Sequence, residues 1–196
     1  MTLNDLFRLA VLTVRDPRMA VAQLRGLNLP IEARWMGFGL VVALSALLTW
    51  AAASLVPPEV QSPIVELGRA PLRMAIAQAG ALLLVVWAMT QVGRLFGGQG
   101  SFADALLLTV WVQAILIALQ AAEFVLMPLF PIVAALLSIA SMGLFLYLLA
   151  QMVKELHGFR SLAMVAVGMI ATAFVLGMIL SLLLVTLGFA PVPEGV

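Results

Sequence analysis

Apolar residues dominate five long stretches of the chain, and polar residues are mostly confined to the short segments between them. A helix needs about 20 apolar residues to cross a hydrocarbon core of roughly 30 Å. Only helices or closed barrels can cross without leaving backbone polar groups unpaired. The pattern therefore predicts an all-α polytopic membrane protein, a five-transmembrane-helix bundle. The predicted spans are 36–56, 74–93, 103–126, 132–153 and 161–187.

Residues 1–30 follow a different pattern, which predicts a cytoplasmic amphipathic segment ahead of the first span. Apolar residues recur at helical spacing, with most charges off that stripe. Asp16 and Pro17 predict a second helix that ends near Gly26, because Asp is a good N-cap and Pro fits the first helical turn. Two uses stay open: an interfacial anchor, which suits a basic helix with one apolar face, and a docking site for a soluble partner. The apolar positions are Leu3, Leu6, Phe7, Ala10 and Val14.

Composition supports the membrane class. The chain is 64% hydrophobic and 10% charged, with a mean hydropathy of +1.18, far from the values of soluble domains. Five spans in 196 residues leave no room for a folded domain outside the membrane. We therefore predict one membrane domain over 31–190 and a short external tail over 191–196. The absence of cysteine excludes disulfides and thiol chemistry, and the dispersed basic residues give no signal of nucleic-acid binding.

The distribution of basic residues predicts the orientation. Those expected on one side of the membrane are Arg8, Arg15, Arg18, Arg25, Arg34, Arg94, Lys154 and Arg160, whereas Arg69 and Arg73 fall on the other. By the positive-inside rule, the N-terminus is cytoplasmic and five spans place the C-terminus outside. We expect an integral protein of the bacterial cytoplasmic (inner) membrane.

The predicted third span carries a polar stripe formed by Thr109, Gln113, Gln120 and Glu123. These residues lie within a sector of about 80° on an otherwise apolar helix. Polar groups facing lipid are costly, so the stripe should face protein or water. Two roles stay open. The stripe could fix packing through interhelical hydrogen bonds worth about 0.6 kcal/mol each, or it could form a proton or cation relay or a headgroup cavity.

Three further features have local explanations. Ser101 followed by Asp104 predicts a capping box at the start of the third span. The glycines of 97–100 predict a flexible turn, and they lack the Lys-Ser/Thr pair of a phosphate-binding loop. His157, the single histidine, is expected on the surface near a helix C-terminus, since one imidazole cannot build a metal site. We expect no catalytic residue, no cofactor and no metal.

Small residues recur four apart on the fifth predicted span, at Ala173, Gly177 and Ser181. Such residues let helices approach closely in lipid, where van der Waals packing replaces the hydrophobic drive. We expect this face to pack inside the bundle, and a seam between two protomers is the alternative.

The layout resembles the Yip-domain family, the Ypt/Rab-interacting integral membrane proteins, in its bacterial form. The resemblance rests on five spans, on Gly97-Gly98-Gln99-Gly100-Ser101-Phe102 leading into 103–106, and on Glu155-Leu156-His157-Gly158-Phe159-Arg160 before the last span. It implies a cytoplasmic N-terminal segment followed by five closely packed spans. The aspartate-leucine-tyrosine-glycine-proline and glycine-tyrosine-serine signatures of eukaryotic members are missing. The resemblance therefore implies membership rather than mechanism, and no functional residue is carried over.

These observations predict a non-enzymatic protein that organises its membrane or scaffolds membrane proteins. The expected partners are the lipid bilayer and either other membrane proteins or a second copy of the chain. The alternative is a small transporter or lipid-binding protein that uses the polar stripe, although five spans cannot divide into the two equal halves of an inverted repeat. Serine or acid–base catalysis lacks its parts, because the serines within the spans have no histidine partner in the membrane.

Overall fold

In the residues that the structure describes, the regular structure consists of α-helices. The computed structural model describes residues 2–57, 59–60 and 62–186. Eight helices follow one another in those residues: α1 (Leu3–Arg15), α2 (Pro17–Gly26), α3 (Ile31–Ser54), α4 (Pro63–Arg69), α5 (Pro71–Leu95), α6 (Phe102–Leu126), α7 (Pro131–His157) and α8 (Leu162–Thr186). The tail over 191–196 and the predicted ends of the last span and of the membrane domain lie outside the described residues.

Five of these helices are long and apolar enough to cross a membrane, namely α3, α5, α6, α7 and α8. Each overlaps one predicted span, so the prediction of an all-α, five-span membrane protein is confirmed. Large apolar side chains on these helices are exposed, for example Ile139 at 70% and Phe174 at 72%. That arrangement places apolar surface where lipid surrounds the bundle.

Helix α6 lies at the centre of the bundle, where it packs against α7, α3 and α5. The buried core is concentrated near one end. Leu106 and Leu108 in the first turns of α6 are fully buried, as are Leu148 and Met152 in the second half of α7. We call this the amino-terminal end of the bundle, because α1, α2 and the start of α3 lie there too.

A helical hairpin precedes the first span. The Thr2 hydroxyl accepts a hydrogen bond from the Asp5 amide at the start of α1, and the Asp5 carboxylate accepts one from the Thr2 amide. This capping lowers the pKa of Asp5. Asp16 begins α2, since its carboxylate accepts a hydrogen bond from the Met19 amide at 3.0 Å and Pro17 takes the first helical position. The apolar face of α2 packs against α7 and α6.

The opposite end is closed by α4, a short helix that packs against α3. The Arg69 guanidinium at the end of α4 donates hydrogen bonds to the carbonyls of Val56 and Pro57, at 3.0 and 3.3 Å. These two residues follow the end of α3, where carbonyl groups lack helical partners. Arg69 therefore fixes the loop that joins the first two spans.

Helix α8 lies at the edge of the bundle and packs against α7. Ala173, Gly177 and Ser181 are exposed and border an open groove on its outer surface. The expectation that these small residues pack inside the bundle is therefore wrong. The physical reason is position: α7 covers one side of α8, so most of the circumference of α8 faces outward.

Candidate functional site

The predicted polar stripe of α6 divides its contacts among three neighbouring helices. The Thr109 hydroxyl contacts the sulfur of Met89 on α5 at 3.7 Å. Near the other end of α6, the carboxylate of Glu123 accepts a hydrogen bond from the Ser141 hydroxyl on α7 at 2.7 Å. Gln113 is half-buried on the helix between them. The stripe thus meets different helices at different depths.

Gln120 makes two of the interhelical hydrogen bonds of the stripe. Its carbonyl accepts one from the Ser45 hydroxyl at 3.2 Å, and its amide group donates one to the Thr49 hydroxyl at 3.0 Å. Both partners lie on α3, one helical turn apart, so a single side chain joins the first and third spans. Its amide is oriented by these two bonds at once.

In a chain without cysteine, a metal site would need a group of acidic or imidazole side chains. Within the described residues, no cluster of three or more such side chains comes together. In the same part of the chain, one buried side-chain oxygen lacks a hydrogen-bond partner, Oε1 of Gln78 on α5. A single unpaired amide oxygen is not a site by itself.

His157 is the buried polar centre of the amino-terminal end. It is the last residue of α7 and is 7% exposed. Its Nδ1 accepts a hydrogen bond from the Gly100 amide at 3.1 Å, and its Nε2 lies 2.8 Å from the carbonyl of Met89 on α5. Since Nδ1 accepts and a carbonyl can only accept, Nε2 must carry the proton. The ring is therefore the neutral tautomer.

Three glycines make the space that the His157 ring occupies. A methyl group on Gly93 or Gly98 would overlap the imidazole, and one on Gly100 would come within 2.7 Å of both its Cε1 atom and the Leu156 side chain. Phe159 stacks on the imidazole, with ring centroids 5.4 Å apart. We call His157 with Gly93, Gly98 and Gly100 the histidine–glycine clasp.

The clasp corrects two sequence-based predictions. His157 is not a surface residue of a loop, because the turn between α5 and α6 folds over its ring. The glycine run is not an unconstrained turn either. Gly98 and Gly100 provide room for the imidazole, and Gly97 adopts a left-handed φ of 83° that redirects the chain after α5.

Asp104 at the start of α6 forms ion pairs with two arginines. It lies 3.0 Å from Arg34 at the beginning of α3 and 3.2 Å from Arg25 at the end of α2. Ser101 caps α6 by accepting a hydrogen bond from the Asp104 amide, but the Asp104 carboxylate faces the arginines. The predicted capping box is therefore half formed, because a charged partner attracts the carboxylate more strongly than a neutral amide does.

Both motifs that meet in the clasp lie within the part of the chain that matches a protein-family model. The model of the Yip1 domain matches residues 11–186, which include all five spanning helices. The chain belongs to the Yip1 domain family. The resemblance drawn from the glycine and histidine motifs is thereby confirmed. No curated protein and no solved structure matches the chain.

In this Yip1 domain, the N-terminal hairpin is attached to the side of the bundle. The indole of Trp111 on α6 donates a hydrogen bond to the Thr13 hydroxyl of α1 at 2.8 Å. Thr13 is fully buried, and Leu9 one turn earlier is 2% exposed. The Tyr147 hydroxyl on α7 makes a longer contact with the Val14 carbonyl, at 3.4 Å. Helix α1 thus lies against α6 and α7.

Sequence reasoning missed the clasp of this Yip1 domain, although two signals were present. Glycines at 93, 98 and 100 exceed what one turn needs, and the single histidine stands immediately before Gly158 at a helix end. Neither signal identifies a partner, because 57 residues separate Gly100 from His157. The contact depends on how the helices are arranged.

Proposed function

We propose that this Yip1-domain protein is a non-enzymatic organiser of its bilayer, and that α1 acts as an apolar wedge in one leaflet. The observation that carries the proposal is the two-sided apolar surface of α1. Leu9 faces the bundle, whereas Leu3 and Phe7 are 86% and 70% exposed. A helix with one apolar face held by protein and another free will place the free face in lipid rather than water.

The depth of α1 supports this role. Its partner Trp111 lies nine residues after the first residue of α6, which is roughly 14 Å along the helix axis. Tyr147 lies ten residues before the end of α7, or roughly 15 Å. The C-terminal part of α1 is therefore beside membrane-spanning segments. Extra apolar volume at one end of the bundle would expand one leaflet more than the other.

The geometry favours this proposal over a transporter that uses the polar stripe. Thr109, Gln120 and Glu123 already contact neighbouring helices, so these groups are engaged in packing. A lipid or ion pathway along α6 would need them to face a shared opening. Scaffolding of other membrane proteins is the companion role, and the broad outward surface of α8 leaves room for it.

Vesicle remodelling by the full-length protein tests the wedge. The protein is reconstituted into liposomes, and vesicle diameter and tubulation are measured by electron cryomicroscopy at equal protein density. We expect the wild-type protein to remodel vesicles. The variant L3S/F7S, which removes the two most exposed apolar side chains of α1, should lose most of that effect. Asn4→Ser is the matched control, because Asn4 is exposed on the same helix but polar.

Two results would contradict the wedge. One is undiminished remodelling by L3S/F7S. The other is inserted wild-type protein that leaves vesicle shape unchanged. Circular dichroism and thermal unfolding of each variant show whether the bundle is intact. We expect an intact bundle, since Leu3 and Phe7 make little buried contact.

A further inference from the structure

A basic cleft opens at the amino-terminal end of the bundle, beside the clasp. It has a volume of ≈ 470 Å³ and is lined by Arg18 of α2, by Lys154 and Glu155 of α7, and by Gly158, Phe159 and Arg160 of the following turn. Three cationic side chains therefore face one carboxylate. They come from separate parts of the chain, and the packing of α2 against α7 brings them together.

The two arginines of the basic cleft are available to an anion. Lys154 pairs with Glu155 at 2.8 Å. Arg18 and Arg160 are exposed, and in the part of the chain that the structure describes neither forms an ion pair. Positive charge in a concave site lowers the energy of a bound anion, and guanidinium groups bind phosphate oxygens with parallel hydrogen bonds. The chemistry therefore selects a phosphate group.

The position of the basic cleft identifies the source of that phosphate. Lys154 directly follows Val153, where the uncharged part of α7 ends, so the cleft lies at the border between apolar helix and polar turn. Phospholipid phosphates lie at this level of a bilayer. A lipid whose acyl chains remain beside α7 can reach the cations with its headgroup. Basic pockets at such helix ends suit anionic headgroups.

We propose that the basic cleft binds the headgroup phosphate of an anionic phospholipid through Arg18 and Arg160. Phe159, which lines the cleft, also stacks on His157, so the bound headgroup lies next to the clasp. This site is separate from the apolar face of α1. The wedge can fail its test while the cleft passes, and the reverse holds as well.

Lipid retention by the purified full chain tests this proposal. The protein in neutral detergent is incubated with equal amounts of phosphatidylglycerol and phosphatidylcholine, and bound lipid is counted by native mass spectrometry. We expect preferential retention of phosphatidylglycerol by the wild-type protein. In R18Q/R160Q, affinity should fall about 25-fold, because each of the two basic side chains that it removes contributes about fivefold near an anionic surface. Thermal unfolding verifies that the variant is folded.

The matched control is R8Q/R73Q, which removes the same charge from two exposed arginines outside the cleft. It should retain phosphatidylglycerol as the wild type does. Equal retention by R18Q/R160Q, or equal retention of both lipids by the wild type, would overturn the proposal. Inorganic phosphate is the remaining arm. If millimolar phosphate displaces the lipid and itself binds with the same dependence on Arg18 and Arg160, the site recognises a free anion and the lipid assignment is wrong.

Discussion

Nδ1 of His157 accepts a hydrogen bond from the Gly100 amide across 3.1 Å. This bond joins the end of α7 to the turn that leads into α6. On its other side, the ring reaches the Met89 carbonyl of α5. One imidazole therefore connects three spanning helices at the end of the bundle where the buried core is concentrated. The glycines around it leave the space that allows the connection.

Removing the imidazole should destabilise the bundle. His157→Ala removes two hydrogen bonds and leaves a cavity, and we expect a loss of about 2–4 kcal/mol in the free energy of unfolding. The measurement is reversible unfolding in detergent followed by circular dichroism. Tyr147→Phe is the control, because it removes only an exposed contact of 3.4 Å. Equal stability of His157→Ala and the wild type would show that the clasp is not a stabilising contact.

Filling the space around the ring should also destabilise the protein. Gly100→Ala places a methyl group against His157 and Leu156, and overpacking of this kind costs about 1–3 kcal/mol. Gly80→Ala is the matched control, since open space surrounds Gly80 in α5 and alanine favours a helix. The double variant G100A/H157A should lose less than the two single losses added together, because removal of the ring relieves the overlap. Strict additivity would argue against contact.

The two arginines that bind Asp104 should differ in their effect on stability. Arg34 is 11% exposed and Arg25 is 51% exposed, although both lie near the same carboxylate. Burial weakens solvent screening, so Arg34→Gln should lower the midpoint of thermal unfolding much more than Arg25→Gln, which we expect to cost less than about 1 kcal/mol. We expect that high salt does not raise the midpoint of thermal unfolding of either variant. The opposite order of the two variants would contradict the prediction.

Gln120 should contribute to packing rather than to transport. Gln120→Leu removes the bonds to Ser45 and Thr49 and should lower the free energy of unfolding by about 1 kcal/mol, given the modest strength of hydrogen bonds between membrane helices. Gln113→Leu is the matched control on the same stripe, because the Gln113 side chain is half-buried and makes no hydrogen bond with another described residue. Unchanged stability of Gln120→Leu would reopen a functional role for the stripe.

The predicted orientation can be tested with single cysteines, since the native chain contains none. Asn4→Cys reports on the amino-terminal end and Glu59→Cys on the opposite end. With a membrane-impermeant maleimide, we expect labelling of Glu59→Cys in intact spheroplasts and labelling of Asn4→Cys only after permeabilisation. The positive-inside rule is the physical basis. Reversed labelling would show that the N-terminus lies outside.

Much of the fold could be predicted from local sequence. Five apolar stretches determined the five spans, because backbone polar groups must be paired within the helix in a hydrocarbon layer. Asp16 and Pro17 determined where α1 ends and α2 begins, because their conformational preferences act over a few residues. The residues of the polar stripe were also identified from helical periodicity alone. Its contacts with α3, α5 and α7 could not be predicted, since periodicity identifies a face and not its neighbour.

The sequence by itself therefore determined which segments form helices and that these helices lie in a lipid bilayer. The tertiary structure decided which residues contact one another. Local preferences predicted a surface histidine, a loose glycine turn and a complete capping box. Helix packing instead buried His157 beneath three glycines and drew the Asp104 carboxylate to Arg34 and Arg25. In the same way, packing of α2 on α7 brought Arg18 and Arg160 to one cleft, although these residues are far apart in the chain. Hydrophobic patterning acts over neighbouring residues, and such contacts exist only after whole helices have come together.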